Sequence, residues 1–144
     1  MEHASRHAAA RIPEGLEPAH IAELVDRFYD KVRRHPDLGP VFDAAVHDWD
    51  DHKRTLTAFW SSVALRTASY RGNPMAAHRA QPIRAEHFEQ WLSLWRETTA
   101  EVLAPAHAAL LCSHAERIGQ SLRYGLGLNG EPGSRALGLP VLAA

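Results

Sequence analysis

The chain has 144 residues, 45% of them hydrophobic, and sixteen Lys+Arg against seventeen Asp+Glu give a net charge of -1. This is the composition of one globular domain large enough to bury a real core, and its charge balance leaves no electrostatic footprint for nucleic acid or an anionic membrane. No stretch approaches the roughly 18 apolar residues of a membrane span, no apolar N-terminal run marks a signal peptide, and the lone Cys112 rules out an intramolecular disulfide, so a cytoplasmic setting is expected.

Residues 1–15 read as an N-terminal extension. After Glu17-Pro18, the residues Ile21, Leu24, Val25, Phe28, Tyr29 and Val32 recur at spacings of three and four, the period of a helix. His35-Pro36 ends it, and Leu38-Gly39-Pro40-Val41-Phe42 reads as a compact turn. Asp48, Asp50 and Asp51 introduce a second helix, acidic residues being favourable near a helix N-terminus. Its apolar face is Trp49, His52, Leu56, Phe59, Trp60, Val63 and Ala64.

A short segment between Pro74 and Pro82 follows. Then comes a long amphipathic helix from about Arg84 to Leu103, with Phe88, Trp91, Leu92, Trp95, Thr99 and Val102 on one side. Pro105 opens a last helix carrying Leu110, Leu111, Ala115, Ile118 and Leu122. Residues 125–144, rich in Gly and Pro, read as a flexible tail. The expected fold is all-α, with the domain over 16–124 and no strand pattern or internal repeat.

The segment Asn73-Pro74-Met75-Ala76-Ala77-His78-Arg79-Ala80-Gln81-Pro82 stands out. Pro74 suits a first helical turn and Pro82 disfavours continuing the helix. The piece is too short to be stable alone. Either it is an ordinary solvated loop, or something bonded to His78, such as a metal or cofactor, holds it; one axial nitrogen on a clamped helix is how a fold would meet a haem iron. Tyr29, His52 and Trp91 each join an apolar body to one polar tip on the inner face of a different helix. Singly, each reads as core packing; jointly, they could converge on one ligand. Phe42 alone reads as a core plug. No nucleophile elbow, phosphate loop or H-E-x-x-H motif is present, and Cys112 has no companion for a thiolate metal site.

Four segments match a known family in order and spacing: FYDKVRRHPDLGPVF (28–42), DWDDHK with FW (48–60), YRGNPMAAH (70–78) and EHFEQWLSLWRETT (86–99). Over roughly 16–124 the chain resembles the group III (P class) truncated haemoglobins. The resemblance implies a truncated globin fold, a two-over-two helical sandwich around haem b. It implies that His78 bonds the iron, that Tyr29, His52 and Trp91 face the ligand, and that Phe42 packs on the haem. Leu56 and Phe59 would line the ligand-side wall, and Met75 and Phe88 would lie near the proximal side. His87 is the rival iron ligand, with His78 preferred, and Arg79, Lys53 and Arg54 are candidate propionate partners.

The implied function is reversible binding of O2, with NO and CO as further ligands. An enzyme is the alternative, oxidising nitric oxide or using peroxide with His52 as acid/base and an external reductase as electron donor. A haem-free helical interaction module is the third reading.

Overall fold

The computed structural model describes residues 14–70, 72–79, 81 and 83–128, with six helices and no strand among them. They are α1 (Pro18–Arg34), α2 (Leu38–Ala45), α3 (Trp49–Leu65), α4 (Pro74–Arg79), α5 (Ala85–Val102) and α6 (Pro105–Gly125). Residues 1–13 and 129–144, most of the expected extension and tail, lie outside the described part, as does Pro82.

All six residues of the α1 stripe are buried: Ile21, Leu24, Val25, Phe28, Tyr29 and Val32. Pro18 occupies the first turn, and His20 Nδ1 accepts the Glu17 N–H at 3.0 Å. α3 begins at Asp48, whose carboxylate accepts the Asp51 N–H at 3.1 Å, and ends at Arg66 in the left-handed region (φ 58°). Pro74 opens α4 and Pro105 opens α6, as their fixed φ and missing N–H favour.

The segment 38–45 is a helix where the sequence suggested a turn. Pro40 falls in the first turn, where its absent N–H has no partner to lose. The His35 ring supplies a cap, its Nδ1 accepting the N–H groups of Asp37 and Leu38, both at 3.1 Å. Gly39 sits where a Cβ would lie 2.7 Å from the Arg33 carbonyl oxygen, so its small size seats α2 against the end of α1.

α1 packs on α2, α3 and α5, and α5 packs on α6, so two helix pairs form two layers. Their shared core includes Phe28, Trp60, Trp95 and Leu111. Two lysines tie α1 to its neighbours. Lys31 Nζ reaches Glu97 (2.6 Å) and Glu101 (2.8 Å) on α5, while Lys53 Nζ on α3 reaches Asp26 and Asp30, both at 2.9 Å. A smaller cluster of Phe88, Leu122 and Leu126 lies between α5 and the end of α6. Leu126, one residue past α6, is 2% exposed, so the packed chain continues beyond 125. His107 is partly buried and its Nε2 bonds the Glu14 carbonyl at 2.9 Å. No described helix is long and apolar enough to cross a membrane.

Candidate functional site

A cavity of about 380 Å³ lies between the helices, and every described helix contributes to its lining. Tyr29 comes from α1, Phe42 from α2, His52, Leu56 and Phe59 from α3, His78 from α4, and Phe88 and Trp91 from α5. The structure thus brings together residues that run from Tyr29 to Trp91 in the sequence. Met75 does not line this cavity; it packs behind the wall against the Phe88–Leu122–Leu126 cluster, beside Gly125. His87, the rival iron ligand, also lines it, as do Trp60, Tyr70 and Gly119, which were not singled out for this wall from the sequence. Trp60 read as core filler, and Tyr70 falls in an irregular stretch with no period to read.

The aromatic rings hold one another in place. His52 meets Tyr29 edge-on (centroids 5.1 Å apart) and Trp49 likewise (5.5 Å), so the ring turns toward the cavity. Trp91 stacks on Trp95 at 5.0 Å, and Trp95 is anchored by its indole N–H to the Leu111 carbonyl at 3.1 Å. Phe28 presents its edge to Tyr29 (4.8 Å), Trp91 (4.9 Å) and Trp95 (4.9 Å). Such contacts restrict rotation and fix where each polar tip points.

Those tips have distinct protonation roles. Burial pushes the Tyr29 phenol well above its ordinary pKa, and the Trp91 indole N–H facing the hydroxyl pulls the other way by less. Tyr29 therefore keeps its proton at any physiological pH. Burial also lowers the His52 pKa, opposed by Asp51 and reinforced by His78. The Nε2 of His52 and the indole nitrogen of Trp60 are buried without a hydrogen-bond partner. Buried polar atoms of this kind carry a desolvation cost and ask for an explanation.

The two candidate metal-binding histidines differ in tautomer. His78 Nδ1 lies 2.6 Å from the Pro74 carbonyl oxygen. A carbonyl only accepts, so Nδ1 carries the proton and Nε2 keeps its lone pair. In His87 the pattern reverses: Nδ1 accepts the Arg84 N–H at 3.0 Å, so in the neutral ring Nε2 carries the proton. The lone pair a metal requires is thus free on His78 and spent on a helix cap in His87.

Of the candidate propionate partners, Lys53 is paired with Asp26 and Asp30, two carboxylates that α1 presents where Lys53 emerges from α3. Arg54 pairs with Asp51 at 3.4 Å, and the Arg79 side chain lies outside the described residues.

The family model of the bacterial-like globins matches residues 14–113. The chain belongs to this family. It is 37% identical over 90 residues to Group 3 truncated hemoglobin ctb of Campylobacter jejuni, covering 59% of this chain and 71% of that protein, a match that places it among the group III truncated haemoglobins. Group 2 truncated hemoglobin YjbI of Bacillus subtilis is 33% identical over 85 residues, covering 57% of this chain and 64% of that protein. The crystal structure of group III truncated hemoglobin from Campylobacter jejuni superposes with a TM-score of 0.72 at 32% identity, covering 77% of this chain and 91% of that one.

This globin's family implies a haem, and the residues present fit one. One imidazole nitrogen with a free lone pair lines the cavity, as do an unpartnered His52 nitrogen and largely apolar walls.

Proposed function

We propose that the cavity holds haem b through His78 Nε2 and that the protein reversibly binds O2, and also NO and CO, beside Tyr29, His52 and Trp91. The bound haem would supply an iron able to accept a diatomic ligand. The observation that carries the reading is the 2.6 Å hydrogen bond from His78 Nδ1 to the Pro74 carbonyl, which leaves one directed nitrogen on the cavity wall.

Tyr29 acts as the donor to the ligand, and the Trp91 N–H orients its hydroxyl. With the Trp91 N–H facing the Tyr29 oxygen and the phenol kept protonated by burial, the Tyr29 O–H is free to donate onward. A hydrogen bond from Tyr29 to a ligand that carries negative charge would contribute about 1.5–3 kcal/mol. One such bond slows dissociation by roughly 10- to 100-fold. Slow release suits retention or chemistry better than transport. The test is stopped-flow O2 release: Trp91→Phe releases O2 at least several-fold faster if the reading holds, and at the parent rate if it fails.

The unpartnered Nε2 of His52 favours a second reading, in which the same site oxidises nitric oxide or uses peroxide. A buried imidazole held neutral can take a proton from a hydroperoxide. An external reductase would be the electron source. Sustained NO consumption with a reductant, lost in His52→Leu, supports this reading; one stoichiometric turnover contradicts it.

A further inference from the structure

The buried face of α6 runs through Ala108, Leu111, Ala115, Gly119 and Leu122 at spacings of three and four. Every position of that stripe carries a side chain except Gly119. A glycine inside a helix destabilises it by up to about 1 kcal/mol relative to alanine, so its presence needs a cause.

Nearby protein atoms account for the close approach at the other two described helical glycines. At Gly39 a Cβ would strike the Arg33 carbonyl, and at Gly125, the last residue of α6, it would meet the flexible end of Met75. At Gly119 a Cβ would meet nothing within 4 Å, although the residue is buried. Its backbone is ordinary helix and requires no positive φ. What it faces is the cavity, which it lines together with Ala115, Ile118 and Leu122.

We propose that Gly119 is where the bound haem comes against α6, so that its missing side chain sets the size and seating of the cofactor the cavity admits. This rests on the haem reading above and adds a positioning residue outside the histidine and the ligand-side polar groups. The space beside Gly119 is then reserved for the edge or face of a flat tetrapyrrole, and a side chain there competes with it.

The test uses the full chain, prepared without haem and titrated with haemin, followed by Soret absorbance and by thermal unfolding. In the haem-free protein, Gly119→Ala raises Tm by about 2–4 °C, the gain in helix propensity with no clash. Gly119→Leu keeps its helical circular dichroism but weakens haemin binding at least tenfold. If Gly119→Leu binds haemin as the parent does, the proposal is overturned. Should that variant not fold, Gly119→Ala decides: the rise in Tm on saturating with haemin must be smaller than the parent's, and an equal or larger rise overturns the proposal. A parent protein that takes up no haemin overturns the haem reading itself, an outcome distinct from a variant that binds unchanged.

Discussion

The side of the cavity built by α1, α3 and α5 rests on a dense core in which Phe28 and Trp95 are fully buried and the tryptophans stack on one another. The side carrying His78 rests on α4, a six-residue helix, and on a cluster of three buried residues, Phe88, Leu122 and Leu126. A helix of that length does not sustain itself in water. The first side is thus preorganised by packing, and on the proposed reading the second would draw part of its stability from the group held at His78. A ligand that binds only the folded state stabilises it by mass action.

The same substitution on the two sides should sharpen this contrast most. Phe28→Ala removes a ring locked among three aromatics and costs about 3–5 kcal/mol in the haem-free protein. Phe88→Ala, at the cavity edge with 9% exposure, should cost less than half as much without haem. It should cost relatively more once haemin is bound. Denaturant midpoints with and without haemin measure both, and equal costs in the two states would erase the distinction.

Within the preorganised side, Tyr29→Phe deletes one hydroxyl and leaves the ring packing intact. It should speed O2 release by roughly 10- to 100-fold with little change in haemin affinity. A parallel loss of haemin affinity would move Tyr29 from ligand donor to cofactor support.

A smaller effect is expected from pH. Burial sets the folded pKa of His52 below its unfolded value near 6.5, helped by His78 and opposed by Asp51. Below that value the unfolded chain takes up a proton that the folded one refuses. Stability therefore falls as pH drops from about 7 through the unfolded pKa toward the folded one, and His52 adds no pH dependence above that window. His52→Gln, unfolded thermally without haem between pH 7.5 and 5.5, should lose less Tm on acidification than the parent; parallel curves would contradict this.

The smallest effect belongs to the lysine staple. Lys53→Met should cost up to about 1 kcal/mol, since its carboxylate partners are half-exposed, and should leave haemin affinity unchanged. A loss of haemin affinity would instead make Lys53 a propionate partner.

Much of this molecule was legible in the sequence where periodicity and proline speak directly. The α1 stripe is buried residue for residue, and Pro74 and Pro105 mark helix starts. α2 was hidden because its Gly-Pro pair is a turn signal, and the cap that overrides it comes from His35, outside the helix. Tyr29, His52, Trp91 and His78 could be named in advance through four ordered segments shared with a family, but their meeting in one cavity depends on tertiary packing. The commitments of Lys53 and His87 were not legible. A carboxylate pair on another helix and a backbone N–H three residues upstream decide them.

The central claim is that the lone pair on His78 Nε2, and not any nitrogen of His87, bonds the cofactor. The direct measurement compares visible spectra of haemin-reconstituted, reduced His78→Gly and His87→Ala. His78→Gly should lose the axial-histidine spectrum and regain it when free imidazole is added, while His87→Ala should keep the parent spectrum. An unchanged spectrum in His78→Gly, or its loss in His87→Ala, would contradict the claim.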